Sequence, residues 1–99
     1  MRLRFDDPAL ERLWSEPSST SPQTGPEVIR AFRKKVGYLA QATSQQDIRV
    51  MKSFHLEKLK GDREGQHSIR LNVRWRLILR FEQDDEGPLI SIVEIVDYH

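Results

Sequence analysis

The sequence ends in three residues that can each carry or orient a proton: Asp97, Tyr98 and His99. An apolar segment precedes them directly, whereas a terminal segment is usually polar and frayed. Imidazole titrates near neutral pH, as a general acid or base in catalysis must. These residues therefore indicate either a proton-transfer site or an ordinary frayed tail, and the pattern alone leaves both open.

Arginines on the predicted strands form a second group of candidates. Arg70, Arg76 and Arg80 alternate with apolar residues, so we expect them to share one face of a sheet. If helices cover the apolar face, these arginines line the open face, where they repel each other unless an anion or a carboxylate lies between them. Glu94 is a candidate carboxylate, so a phosphate site and a structural salt bridge both fit the pattern.

The sequence gives no indication of a metal or cofactor site. His55, His67 and His99 are far apart in the sequence, and the chain has no cysteine. No phosphate-binding Gly-rich motif and no Ser-His-Asp arrangement is present. We therefore expect any chemistry to use side chains alone.

The formal net charge of +1 conceals an uneven distribution of charge. Residues 28–80 contain 13 Lys or Arg against 4 Asp or Glu, a net charge of +9. Residues 1–27 contain 3 against 5, and residues 81–99 contain 0 against 6. Eleven of the 16 cations are Arg, which forms forked contacts with phosphate. A nucleic-acid partner and a basic surface neutralised by the acidic ends both fit this distribution.

Helices and strands must position these residues. Alternation predicts strands at 2–5, 66–73, 75–81 and 89–98, and helical spacing predicts helices at about 8–16, 26–42 and 45–51. This order predicts a single α+β domain over 1–99, with a small twisted, mainly antiparallel sheet and two to three helices on one face. The Ser- and Pro-rich loop at 15–26 is expected to be flexible. No apolar run approaches ~18 residues and no signal sequence is recognisable, so a cytoplasmic location is expected.

Local signals also predict the ends and faces of these elements. Asp7 is expected to cap the first helix, Thr24 and Glu27 have the spacing of a capping box for the second, and Ser44 is a cap signal for the third. The second helix has an apolar stripe that leaves Arg30, Arg33 and Lys34 pointing away; the stripe consists of Ile29, Phe32, Val36, Leu39 and Ala40. In the strand at 75–81, Arg76, Ile78 and Arg80 are expected to point outward.

Several motifs together resemble the HigB-like branch of the RelE/ParE toxin superfamily, the plasmid maintenance killer proteins of type II toxin–antitoxin modules. They are Leu-Glu-Lys-Leu-Lys-Gly-Asp-Arg at 56–63, Gly-Gln-His-Ser-Ile-Arg-Leu-Asn at 65–72, Trp-Arg at 75–76 and Val-Glu-Ile-Val-Asp-Tyr-His at 93–99. The resemblance is specific over residues 54–99, and length, element order and the basic helix support it upstream. The fold that it implies agrees with the α+β prediction.

The resemblance implies a ribosome-dependent endoribonuclease that cleaves mRNA in the ribosomal A site without a metal or cofactor. The ribose 2′-OH would attack the adjacent phosphate, leaving a 2′,3′-cyclic phosphate and a free 5′-OH. Such a reaction needs a base, cations to stabilise the phosphorane and an acid for the leaving oxygen. By this resemblance His99 would be the acid or base, Tyr98 would stack on or position a nucleobase, and Asp97 would orient a neighbour or accept a proton.

The same resemblance assigns basic residues to the substrate. Arg70 and Arg76 would face the scissile phosphate, and Lys60 and Arg63 lie on a loop that would meet ribosomal RNA or message. Further RNA or ribosome contacts are expected from Lys58, Arg74 and Arg80.

Glu57 occupies a position at which several HigB toxins have a catalytic histidine. A related set of toxins also has Glu there, so Glu57 would be a base if it is buried near the sheet face, or would mark a weak toxin. His55 is two residues away and would share a strand face with Glu57 if this stretch is extended.

The implied partners are the ribosome, mRNA and a helix-turn-helix antitoxin of the HigA type, with operator DNA contacted only through the antitoxin and no membrane. Two alternatives remain: a ParE-like topoisomerase inhibitor, and a catalytically weak toxin that mainly binds its antitoxin. The terminal Tyr98 and His99 argue against the topoisomerase inhibitor, because that function gives them no task.

Overall fold

A computed structural model describes residues 1–97, which form one five-stranded sheet with helices against one face. The strands are β1 (Arg2–Phe5), β2 (Glu57–Lys58), β3 (His67–Arg70), β4 (Trp75–Asp84) and β5 (Gly87–Asp97). The helices are α1 (Pro8–Ser15), α2 (Pro26–Gln41) and α3 (Gln45–Arg49), and short 3₁₀ turns span Lys52–Phe54 and Gly61–Arg63. No helix in this part of the chain is long and apolar enough to cross a membrane.

The strand order is β1-β5-β4-β3-β2, in which β1 runs parallel to β5 and the other neighbours are antiparallel. The predicted α+β fold with a mainly antiparallel sheet is therefore confirmed. β5 has a strand on each side over residues 89–92, which agrees with its apolar character on both faces. The two-residue strand β2 was not predicted from the sequence.

Helix N-termini match the sequence prediction only in part. Asp7 caps α1 as expected, since its carboxylate accepts a hydrogen bond from the Ala9 N–H at 2.9 Å. The capping box predicted from Thr24 to Glu27 is wrong, because Gly25 is the N-cap of α2 and no side chain caps it. Ser44 likewise caps α3 without a side-chain hydrogen bond.

The hydrophobic core lies between the helices and one sheet face, and its side chains come from both. The apolar stripe predicted for α2 is confirmed, because Phe32, Val36 and Leu39 are fully buried. Leu77 and Leu79 on β4 are equally buried beneath them. Because the helices occupy this face, the polar residues of the same strands lie on the opposite one.

The position of Arg33 outside the apolar stripe predicted that its side chain points away from the protein. This prediction is wrong. Its guanidinium is half-buried and donates to the carbonyls of Leu13 at 2.7 Å, Glu16 at 3.1 Å and Ser19 at 3.1 Å. The carbonyls of Leu13 and Glu16 lie at the end of α1, where such groups lack intrahelical partners and attract cations. Arg33 therefore fastens the first part of the loop at 15–26 to α2.

Candidate active site

Two arginines predicted to face the substrate lie side by side on the sheet face that the helices leave uncovered. The β3–β4 register places Arg70 directly opposite Arg76. Arg76 is only 8% exposed, and its Nη1 donates to the carbonyl of Asn72 at 2.9 Å. Arg70 is half-buried, and its Nε atom has no hydrogen-bond partner among the described residues.

Two further basic residues reach Arg70 from other elements. The Lys35 ammonium on α2 donates to the carbonyl of Arg70 and, at 3.1 Å, to that of Ser53. The Nε2 atom of His55, which follows the Lys52–Phe54 turn, lies 3.4 Å from Nη1 of Arg70. Lys35, His55, Arg70 and Arg76 are hereafter called the cationic cluster.

The electrostatics of the cationic cluster are those of an anion site. Burial lowers the pKa of Lys35 below its ordinary value, and the charges of Arg70, Lys34 and Arg76 lower it further. Within residues 1–97, neither Lys35 nor Arg70 forms an ion pair with a carboxylate. The repulsion between these groups would be relieved by a bound phosphate, whose oxygens accept hydrogen bonds from guanidinium groups.

Carboxylates instead pair with arginines elsewhere on the sheet. Arg2 pairs with Asp84 and Glu86, and Arg4 pairs with Glu82. The carboxylates of the acidic last part of the chain therefore neutralise the positive charge of β1. Arg80, four residues beyond Arg76 on β4, pairs with Asp6 at 3.0 Å and Glu82 at 2.7 Å. The structure thus separates Arg80 from Arg70 and Arg76, and its RNA contact stays a prediction.

Glu94 pairs with a loop arginine and not with a strand arginine as the sequence suggested. Arg63 reaches it at 3.2 Å and also donates to Gln66 at 3.0 Å. Glu94 lies opposite Ile78 of β4, so the Arg63–Glu94 bridge lies beside Ile78 on this face.

Two residues of β4 that face outward, as predicted, are nevertheless nearly buried. Ile78 is 2% exposed and Arg76 is nearly buried, although both lie on the face without helices. The Arg63–Glu94 bridge gives a physical reason for Ile78, because it covers the middle of this face.

The residues of β2 are divided between the two sheet faces. Glu57 is opposite Ser68 and lies on the same face as the cationic cluster, whereas Lys58 is opposite His67 on the other face. Glu57 is exposed, so the burial that would favour its use as a base is absent. Lys60 is exposed at the start of the next turn.

Asp97 binds Arg74 at the end of the sheet. Its Oδ2 lies 2.8 Å from Nε and 2.6 Å from Nη2 of Arg74, and this hydrogen bond raises the pKa of Arg74. The Arg74 guanidinium also lies 5.6 Å from the centre of the Trp75 ring. Asp97 pairs with Trp75, so it emerges on the face opposite to Arg76. Tyr98 and His99 lie outside the described residues.

Lys35 and His55 are the members of the cationic cluster to which the sequence analysis gave no role at a phosphate. Lys35 follows Phe32 by three residues, so it lies at the edge of the buried stripe of α2, and this spacing was an available signal. The contact of His55 with Arg70 depends on tertiary structure and had no equivalent signal. Within the described residues no group of three His, Asp or Glu side chains could hold a metal ion.

Comparison with known proteins identifies the family. The family model described as a RelE-like toxin of the type II toxin–antitoxin system HigB matches residues 3–99. The chain belongs to this family. A search of curated proteins finds no match for this HigB-like toxin.

Solved structures show the same fold. The YoeB/ParE toxin from Agrobacterium tumefaciens is 13% identical to this HigB-like toxin, with all of both chains covered and a TM-score of 0.60. The toxin of a YoeB–YefM complex from Staphylococcus aureus is 20% identical, with 100% of this chain and 97% of that chain covered and a TM-score of 0.53. A heterotetrameric YoeB–YefM toxin–antitoxin complex from the same organism gives 20% identity, the same coverage and a TM-score of 0.58. The protein is thus a type II toxin of the RelE/ParE superfamily.

Proposed function

We propose that this HigB-like toxin is a ribosome-dependent endoribonuclease that cleaves mRNA by attack of the ribose 2′-OH on the adjacent phosphate. The observation that carries the proposal is the cationic cluster on the uncovered sheet face. Arg70 and Arg76 are adjacent there, and within residues 1–97 no carboxylate occupies the position that a phosphate would take beside Arg70. Arginine forks placed around a phosphorane stabilise the charge that develops in the transition state.

The remaining site residues take roles around that phosphate. His99 protonates the leaving 5′ oxygen, and Tyr98 stacks on a nucleobase next to the cleaved bond. Asp97 holds Arg74 at the end of the sheet, close to these terminal residues in sequence. Lys60, Arg63 and Lys58 contact RNA phosphates outside the reacting bond.

The proposed partners follow from this function. The toxin acts on the ribosome in the cytoplasm, and a helix-turn-helix antitoxin of the HigA type restrains it and links it to operator DNA. The solved YoeB–YefM complexes, which share this fold, contain a toxin bound to an antitoxin. The cations that carry no carboxylate partner within residues 1–97 offer an acidic antitoxin segment a complementary surface.

Primer extension on an actively translated mRNA tests the proposal. The wild-type protein should produce new 5′ ends inside codons, and His99→Ala should reduce the rate by roughly 10²–10⁴-fold if His99 is the general acid. Arg12→Gln is the matched control because Arg12 is exposed on α1, on the helix side of the sheet, whereas Arg70 and Arg76 lie on the uncovered face. It should cleave at the wild-type rate.

The same experiment separates the alternative functions. Intact mRNA together with broken chromosomal DNA would replace the proposal with topoisomerase inhibition. Intact mRNA and intact DNA would leave a toxin that mainly binds its antitoxin. Equal cleavage by wild-type protein and His99→Ala would refute the assigned mechanism.

A further inference from the structure

His55 has an unusual backbone conformation. It is the one residue other than glycine within residues 1–97 with a positive φ, at 47°, and its ψ is 53°. This left-handed conformation costs an L-residue about 1–2 kcal/mol, so surrounding contacts must hold it. His55 is therefore not in extended backbone. The expectation that His55 and Glu57 share a strand face required an extended stretch, so it is wrong.

The turn that ends at His55 is anchored from both sides. Its Phe54 is 4% exposed and packs edge-on against the Tyr38 ring, with 5.3 Å between the ring centres. The Lys35 ammonium lies 5.1 Å from the centre of the Phe54 ring, and the His55 N–H donates to the Lys52 carbonyl at 3.1 Å. These contacts fix the direction in which the chain leaves the turn.

The anchored turn brings the imidazole to Arg70, with 3.4 Å between His55 Nε2 and Arg70 Nη1. A guanidinium group has donors only, so this contact is a hydrogen bond in the tautomer that carries its proton on Nδ1 and directs the Nε2 lone pair at Arg70. His55 is exposed, so a substrate can reach this lone pair.

We propose that His55 is a further catalytic residue of this toxin, the base that removes the proton from the attacking 2′-OH. The inference rests on the proposed ribonuclease function. When a phosphate binds Arg70, the Nη1 group that now contacts His55 Nε2 donates to the phosphate instead. The 2′-OH next to that phosphate then lies beside Nε2 in place of the guanidinium. Arg70 thereby connects the base with the bond that is cleaved.

The proton balance of the step is complete with the residues already assigned. Nε2 of His55 takes the 2′-OH proton as the 2′ oxygen bonds to phosphorus, and the bond from phosphorus to the 5′ oxygen breaks. The leaving oxygen takes a proton from the protonated His99. The products are the 2′,3′-cyclic phosphate and the 5′-OH, with His55 protonated and His99 neutral.

Glu57, the other candidate base, is less well placed for this step. It lies opposite Ser68, two residues along β3 from Arg70, which corresponds to about 7 Å along a strand. Arg70 on β3 is the charged side chain that contacts the His55 ring, and the Lys35 ammonium on α2 reaches the carbonyl of the same arginine. No carboxylate among the described residues contacts the His55 ring.

Replacement of His55 by Gly tests the proposal, because Gly accepts a positive φ and so preserves the turn. In single-turnover cleavage of mRNA on programmed ribosomes, His55→Gly should be slower by roughly 10²–10⁴-fold. Added imidazole should restore part of the rate to His55→Gly, since it can occupy the vacated space and accept the proton. His55→Asn also tolerates this backbone but fills the space without a base, so it should be slow and unaffected by imidazole.

His67→Gln is the control for loss of a histidine. Its ring is on the opposite sheet face, 5.0 Å from the Phe81 ring, so the variant should cleave normally. Thermal unfolding confirms that each variant is folded.

Two results would overturn the inference. One is cleavage by His55→Gly within about threefold of wild type, and the other is slow cleavage that imidazole does not accelerate. An active wild type with an equally active His55→Gly refutes the role of His55 alone. A wild-type protein that leaves translated mRNA intact refutes the proposed function and this inference together.

Discussion

Replacing Arg70 with Gln should make the protein more stable while it impairs cleavage. Arg70 and Arg76 are direct cross-strand neighbours, and like charges in such positions destabilise a sheet. At a separation of about 6 Å and an effective dielectric constant of about 40–80, Coulomb's law gives about 0.7–1.4 kcal/mol of repulsion. The nearby Lys35 ammonium adds to it, as its lowered pKa indicates.

The expected gain in the free energy of unfolding is therefore about 0.5–1 kcal/mol. For a domain of this size, 1 kcal/mol corresponds to about 4–8 °C in Tm, so Arg70→Gln should melt about 2–8 °C above wild type. Cleavage should fall by roughly 10²-fold, because one of the two guanidinium groups at the phosphate is lost.

Arg80→Gln provides the matched control, because it should lower the stability that Arg70→Gln raises. Arg80 lies on the same sheet face but is paired with Asp6 and Glu82, so its replacement removes two attractive contacts. Partly exposed ion pairs contribute up to about 1 kcal/mol each, so this variant should be less stable by about 1 kcal/mol.

Thermal and urea unfolding at low and high salt measure both effects. At 1 M salt the Debye length is about 3 Å, so the difference between Arg70→Gln and wild type should nearly vanish. An Arg70→Gln variant that is less stable than wild type at low salt would refute the idea that the charge of Arg70 is repelled by its neighbours. The idea would also fail if Arg80→Gln were stabilised to the same extent.

Two further predictions concern stability. Arg33→Met keeps the apolar stem but removes three charge-assisted hydrogen bonds to α1 and its loop, so urea unfolding should show a loss of about 2–4 kcal/mol. A loss below about 0.5 kcal/mol would contradict this role. Burial lowers the pKa of His67 from its ordinary 6.5, so the unfolded chain binds a proton first and stability should decrease as the pH falls below about 6.5. His67→Gln should flatten this dependence between pH 7 and pH 5, and an unchanged slope would exclude His67 as its source.

Local patterns predicted the framework of the site because they act through one strand or helix at a time. Alternation along β3 and β4 placed Arg70 and Arg76 on one face, and Asp7 with Pro8 located the start of α1. β2 escaped prediction because two residues are too few to show a period.

Contacts between distant segments were not accessible from such patterns. The partner of Glu94 is Arg63, which depends on how the loop after β2 folds across the sheet. The position of the His55 ring depends on the left-handed backbone of His55 itself. Histidine usually adopts other backbone conformations, so the residue type does not predict this one. Arg33 looked exposed because the pattern within α2 contains no information about the carbonyls of α1.

The parallel pairing of β1 with β5 has a consequence for the order in which the sheet is completed. Arg2 pairs with Leu89, so the first strand to be translated finds its neighbour 87 residues later. Contacts with such a large sequence separation form late and slow the folding of a domain. A nascent chain therefore cannot complete its sheet until β5 has left the ribosome that makes it. β5, the last of the described strands, is thus the one that joins β1 to the rest of the sheet.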